Sequence, residues 1–392
     1  MTGEITRRET LLRGLGAAGA LAMIPSAVLP AMAEGETEVP FTDYPPNYQL
    51  NNPNAARRSL DIRKIDGQIT PNDQFFFIQH LNRPEIDAAS YRLKLTGMVA
   101  KPGEFSLADL KAMKATELVA GYECSGNSAR AFEGLSSCGR FRGVRLVDVL
   151  KRVGVGSKAR EVVFFGTDRG LENIVFRQQT FKLDQQFARS ITLENAMKPG
   201  PLLAYELNGQ ALVRDEGAPV RLIMPGWYGV CNVKWIAEIH LQQDRFLGNF
   251  QARWYRSLRG VGGTGADNDP ATQWVENEIT RMHLKSVISR VTKNAAGYRI
   301  FGFVLNDGTP LKSVEIGIDG GDWRPAALDK SNTQYSWKLF TYEWKDAAPG
   351  EHTLVSRATD AEGTVQPGES ELKRKKTFLE DNGQFPRKVK IA

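Results

Sequence analysis

The sequence predicts an α+β chain in which a mixed α/β domain is followed by an all-β sandwich of immunoglobulin-like kind. Two textures carry this. From FFFIQH onward, apolar-alternating segments such as YRLKLTGMV and REVVFFGTD are interspersed with amphipathic stretches of helical period, SLADLKAM and RLVDVLKRV. Later, RIFGFVLND, SVEIGIDGGDW, YSWKLFTYEW and HTLVSRATD read as strands rich in β-branched and aromatic residues, with NDG, DGG and PGE turns at short spacing. The chain has 392 residues, 41% of them hydrophobic, which is enough for about two cores.

Taken in order, residues 1–33 join Arg7 and Arg8 to an apolar run rich in Gly and Ala that ends Ala31-Met32-Ala33. This reads as a twin-arginine export signal cleaved after Ala33, and predicts a periplasmic protein. Five residues, Gly14, Gly16, Gly19, Pro25 and Pro30, make the run a poor spanning helix, and no second long apolar run follows, so the mature chain is expected to lack a membrane span. The twin-arginine route carries folded proteins, commonly with a cofactor already inserted. Residues 34–69, rich in Pro, Asn and charge, read as an extended arm that wraps a domain surface. The mixed domain spans 70–265, the Gly-, Asp- and Pro-rich stretch around 257–275 suits a boundary, and the β-domain spans 275–392.

Several functions are not signalled. The net charge of +6 is spread through interleaved acids and bases, without the concentrated basic face of a nucleic-acid binder. The one dense basic cluster lies in the tail, from Lys373 and Arg374 through Lys376 and on to Arg387, Lys388 and Lys390. It reads as a solvated run, or as a site for a small anion or an acidic partner. No GxGxxG set between a predicted strand and a helix, and no GxxxxGK[ST], occurs. The three cysteines, Cys124, Cys138 and Cys231, form no CxxC, which argues against covalent haem, a thioredoxin motif or an all-cysteine cluster.

Cys124 sits in GYECSGNSAR, among small polar residues and with Arg130 downstream. A nearby cation favours the thiolate, the form that binds metals and attacks electrophiles. A buried structural thiol and half of a disulfide are equally open readings. None of His80, His240, His283 and His352 stands in a hydrolase context, and no local Cys/His spacing suggests zinc. A single soft thiolate on a metal held mainly by a non-protein group is also compatible. Cys138 and Cys231 read as structural thiols.

The ordered set YECSGNSAR, GRFRGVRLVDVL, LLAYELNGQALVRDEGAPVRLIMPGWYGVCNVKWIAEI, RWY, DGGDW, YSWKLFTYEW and RATDAEGTVQP resembles the sulfite oxidase family of molybdenum enzymes, from about residue 70 to the C-terminus. The resemblance implies a molybdenum–molybdopterin cofactor with Cys124 as the protein's sulfur ligand. It implies cofactor contacts from Asn127, Arg130, Arg221 and Lys234, although Asn127 also suits a turn, and Arg221 and Lys234 also suit surface cations. Glu216 stands where the family often has a histidine. Tyr255 of RWY falls on the active-site tyrosine, with a packing aromatic as its plain alternative. His80 fits a substrate-site histidine, while Ile78 occupies the position of a substrate-binding arginine. Arg83 is the nearest cation that could replace it, and Lys373 or Arg374 could supply the family's other substrate arginine.

These matches imply a periplasmic molybdenum oxidoreductase that oxidises sulfite, a small oxyanion, to sulfate. Electrons would pass to an external cytochrome c, since no haem domain is evident, and the second domain would mediate a homodimer. Ile78 motivates an alternative, the same chemistry on another small sulfur- or oxygen-containing substrate. A non-catalytic exported binding protein, with no metal, is the reading from a different class.

Overall fold

A computed structural model describes residues 35–44 and 57–392; the predicted export signal lies outside the described residues. Sheet dominates. Among the described residues the longest helix, Leu146–Val153, has eight residues, so the α+β expectation holds only loosely: the architecture is mostly sheet with short helices. Both amphipathic stretches do form helices. In Leu107–Ala112, the Ser106 Oγ accepts from Asp109 N at 3.1 Å while the Asp109 carboxylate accepts from Ser106 N at 2.9 Å, a reciprocal cap that fixes the helix start. Leu146–Val153 buries Leu146, Val149, Leu150 and Val153 in the first core. The mixed texture has its source in the connections, where α-helices of four to eight residues and single turns of 3-10 helix bridge the strands.

Two sheets build the part that carries the site. One orders Gln210–Ala211, Leu202–Leu207, Ser136–Arg145 and Ala115–Glu123, with Arg221–Ile223 also pairing Leu202–Leu207. The other orders Gly103–Ser106, Arg92–Gly97, Ile236–Gln242, Glu161–Phe176 and Gln179–Thr192, with its one parallel pairing between Ile236–Gln242 and Arg92–Gly97. Their apolar faces meet in a core that includes Leu95, Phe141, Phe164, Leu203 and Ile239. Close approach needs glycine at position 143, where a Cβ would sit 2.0 Å from the Leu203 carbonyl oxygen.

In the C-terminal part, a five-stranded and a four-stranded antiparallel sheet share a core to which Ile288, Ile300 and Phe340 contribute from one sheet and Ile316, Leu354 and Val389 from the other. The described part of the arm joins this core: Thr37–Val39 pairs with the strand Lys285–Asn294, and Phe41 and Tyr44 are buried. The stretch around 257–275, read from its composition as a loop, instead holds a two-stranded ribbon of Arg256–Val261 and Gln273–Glu278. Only its central turn keeps the Gly- and Asp-rich character, with Gly262, Gly263 and Gly265 at positive φ.

Candidate active site

A pocket opens between these elements, lined by Phe76 to His80, Tyr122, Cys124, Asp168, Phe187, Asp215, Arg221, Asn232, Lys234, Trp235 and Tyr255 among others. Cys124 is held at its wall by the end of the strand Ala115–Glu123. Its N–H donates to Leu135 O at 2.9 Å, and its sulfur accepts from Gly126 N at 3.4 Å. Burial pushes the thiol up to about 11, only partly offset by the Gly126 N–H and by Lys285, while Arg130 is exposed and lies off the pocket. The expected thiolate-favouring cation is therefore absent from the pocket. A nucleophilic cysteine wants the opposite shift, whereas a coordinated metal deprotonates a thiol outright. All three cysteines are free, with Cys138 and Cys231 buried.

The same pocket holds a proton-handling pair. The Tyr255 hydroxyl and His80 Nε2 are in close hydrogen-bond contact, and the imidazole stacks on Phe250 at 5.1 Å and Phe187 at 6.2 Å. Burial, then Lys234, holds His80 below its ordinary value, and burial raises Tyr255 far above its own. The phenol therefore keeps its proton and donates, and the neutral imidazole accepts.

Arg221 and Lys234 supply the positive wall. Arg221, on the strand Arg221–Ile223, donates to Glu216 O at 2.9 Å and Asn232 O at 3.2 Å, leaving its Nε without a partner. Lys234 donates to Asp215 O at 3.2 Å, and burial, then Arg221, pushes its ammonium down to about 7. A bound anion would reverse that shift and keep the lysine charged. Three pocket residues carry buried polar atoms with no partner: Gln79 Oε1 and Nε2, Asp168 Oδ1 and Arg221 Nε. Buried polar atoms are normally satisfied, so this set suits a polar ligand that offers both anionic groups and ring N–H donors. Burial raises Asp168 to about 6. A soft sulfur, two cations and these orphaned atoms fit a molybdopterin group, with Cys124 as the protein's metal ligand. Among the described residues no cluster of three or more His, Cys, Asp or Glu is placed to hold a metal.

Five predicted site residues lie elsewhere. The Asn127 side chain is consumed within its own turn, donating to Glu123 Oε2 at 2.8 Å and Glu133 O at 3.1 Å and accepting from Leu135 N at 3.0 Å. Arg130 is exposed on the 3-10 turn Ala129–Ala131. Arg83 forms a forked pair with Asp215, at 2.7 and 2.6 Å, and so is neutralised at the pocket edge. Lys373 is exposed beside Glu369, and Arg374 is bonded to the carbonyls of Gly260 and Gly262. Glu216 turns its carboxylate to Val213 N at 3.1 Å. Ile78 does line the pocket. Sequence reasoning missed Gln79, Asp168, Asn232 and Trp235. Gln79 and Trp235 adjoin matched positions, and Asn232 lies two residues before Lys234, but nothing local marks Asp168 in FFGTDRG.

Comparison with known proteins agrees with this cofactor pocket. Residues 80–250 match the family described as oxidoreductase molybdopterin binding domain. The chain is 29% identical to the mitochondrial sulfite oxidase of Homo sapiens across 85% of its length, and 26% identical to the sulfite oxidase of Arabidopsis thaliana across 77%. It spans 64% of the human protein and 83% of the plant one. In fold it is similar to the sulfane dehydrogenase SoxCD of Paracoccus pantotrophus, with a TM-score of 0.71, 22% identity and coverage of 99% of this chain and 98% of that one.

Proposed function

The chain belongs to the sulfite oxidase family of molybdenum-dependent oxidoreductases, and from that premise we propose that it oxidises sulfite to sulfate by oxygen-atom transfer. The observation that carries the reading is that Cys124, the Tyr255–His80 pair, Arg221 and Lys234 all line one pocket. When bound, the molybdenum–pterin group supplies the oxygen-atom transfer and takes up two electrons. The net change is sulfite plus water to sulfate, two protons and two electrons. Cys124 ligates, Arg221 and Lys234 hold anionic groups, and Gln79 and Asp168 satisfy the organic ring. The Tyr255 hydroxyl, whose one proton is donated to His80 Nε2, would accept a proton released from water at its oxygen while passing its own to the imidazole. Electrons leave to a separate acceptor, for which a cytochrome c is the first candidate. The twin-arginine pattern supports a periplasmic site of action. The C-terminal pair of sheets serves as an immunoglobulin-like module that mediates a homodimer, with domain limits near 70–265 and 275–392.

The test is metal content beside turnover. Protein made with an intact cofactor pathway should hold about one molybdenum per chain and oxidise sulfite with ferricyanide and with cytochrome c. Absence of molybdenum would falsify the cofactor assignment and favour a binding protein.

One observation favours a second reading of the substrate. Ile78 brings an apolar side chain to the pocket, Arg83 is spent on Asp215, and Lys373 and Arg374 lie outside, so no replacement cation converges on a dianion. The same chemistry on a less charged sulfur- or oxygen-containing substrate fits this wall.

A further inference from the structure

The hairpin of Glu161–Phe176 and Gln179–Thr192 outruns its sheet. Pairing with Ile236–Gln242 stops at Gly166, and from Arg169 to Gln186 the two strands pair with each other, a ribbon about 26 Å long at some 3.3 Å per residue. Arg177 and Gln178, at φ 47° and 66°, close it with the tight turn whose twist matches a hairpin. Such a ribbon should be polar, yet Leu171 is 74% exposed, Val175 68% and Phe176 51%, with Phe181 and Leu183 also open. Trp254 extends the surface: its neighbour Arg253 stands 5.9 Å from the Phe176 ring, and Asn249 Nδ2 donates to the ribbon's Glu172 at 2.7 Å. Six of the thirteen large apolar side chains exposed among the described residues thus belong to the ribbon and its corner, Leu171 and Val175 on one face of the ribbon and Phe176, Phe181 and Leu183 on the other, so that a partner would grip it from both sides.

The surface is also cationic and adjoins the pocket. Arg177, Lys182 and Arg253 are exposed and have no carboxylate partner among the described residues, while Arg169 and Asp184 neutralise each other at 2.7 Å. At the ribbon base, Arg169 N donates to Asn82 Oδ1 at 2.7 Å, two residues from His80, and Phe187 passes directly into the pocket wall. Phe250 bridges Phe187 and His80, at 4.8 and 5.1 Å.

We infer that the ribbon and the Arg253–Trp254 corner form the docking surface for the electron acceptor, an acidic one-electron carrier protein that presents an apolar patch. The inference rests on the oxygen-transfer reading, which releases two electrons beside this surface at every turnover. Opposed charge selects this occupant over a second copy, which would set three uncompensated cations against three more.

The test uses the cofactor-loaded full chain and a soluble acidic c-type cytochrome, with a basic cytochrome c as control. Titration calorimetry should show salt-sensitive binding of the acidic cytochrome only, weakened at least about tenfold by Arg177→Glu/Lys182→Glu and by Leu171→Ser/Val175→Ser. Oxidation of sulfite with phenazine methosulfate, a small acceptor that needs no docking, should be unchanged in both variants. Equal binding by wild type and variants, or none by wild type, overturns the inference. So does finding that the substitutions abolish sedimentation with anionic phosphatidylglycerol vesicles, or disperse a wild-type dimer, without affecting the cytochrome. Failure of wild type with phenazine methosulfate would instead strike the sulfite reading, and calorimetry still decides docking.

Discussion

Ile78 decides more about substrate than any residue that matches the family. It lines the pocket from the short strand Phe77–Ile78, where an arginine would reach the same space, and Arg83, five residues on, is already paired with Asp215. Each charged hydrogen bond to an oxyanion is worth about 1.5 to 3 kcal/mol, so Ile78→Arg should lower the KM for sulfite by roughly tenfold or more. Steady-state kinetics check this, and an unchanged KM would show that sulfite does not approach position 78. Tyr255→Phe, by contrast, should keep its molybdenum and lose about 100-fold or more in kcat, because the ring still packs and only the donated proton is gone. Metal analysis alongside kcat separates the two effects. The residues legible in sequence were those whose chemistry has one address: a soft thiol, a phenol, and cations flanked by apolar segments. Asn127 and Arg130 share the Cys124 motif yet face away, because the turn that exposes the sulfur closes with the Asn127 amide and turns Arg130 to solvent. Spacing along the chain cannot report which way a turn closes.

Strands meet where a missing side chain lets them. Gly121 N donates to Tyr335 O at 2.8 Å, and a Cβ at 121 would sit 2.6 Å from the Trp337 backbone nitrogen. Backbone of the C-terminal part therefore lies directly against the strand that ends at Cys124. Gly121→Ala forces these apart and should cost about 1 to 3 kcal/mol, measured by urea unfolding, with reduced molybdenum retention. A second prediction concerns the C-terminal strand Gly350–Asp360. His352 Nδ1 lies 2.6 Å from Asp319 and its Nε2 lies 2.8 Å from Ala348 O, so both nitrogens face acceptors. The Asp319 hydrogen bond raises His352 above 6.5, and the Thr353 amide, with His352, holds Asp319 below 3.8. The histidine's contribution is complete below its unfolded value and lost as pH rises through the raised one, while that of Asp319 is lost as pH falls below about 4. His352→Ala should then cost more at pH 5.5 than at pH 8.5, a difference under about 1 kcal/mol given the exposed carboxylate, read from paired thermal melts. Alternation announced these C-terminal strands clearly. The ribbon around 257–275 was hidden, because its Gly- and Asp-rich turn dominates a pattern in which Ser257 and Thr272, rather than large apolar groups, are buried.

At the scale of the whole molecule, one buried charge joins the two parts behind the active site. Lys285, on the first strand of the C-terminal sheets, is fully buried, with Glu123 at 3.0 Å and Glu133 at 2.5 Å. Glu123 precedes Cys124, and Glu133 closes the same loop, so the lysine from one part clamps both ends of the segment that presents the sulfur. Burial pushes Glu133 up to about 7 despite the lysine, which measures how costly this site is for charge. No sequence pattern marks such a contact, since HLKSVISRV reads as an ordinary strand and its partners lie about 150 residues away. Removing one member of a buried ion network strands the others in a medium that cannot solvate them. Lys285→Met should therefore cost about 3 to 5 kcal/mol in urea unfolding and release the cofactor, whereas Lys285→Met combined with Glu133→Gln should recover part of that loss. Equal stability of the single and double variants would mean that the clamp acts through packing. Recovery of stability without recovery of molybdenum content would mean that the charge on Lys285 is needed at the cysteine loop itself.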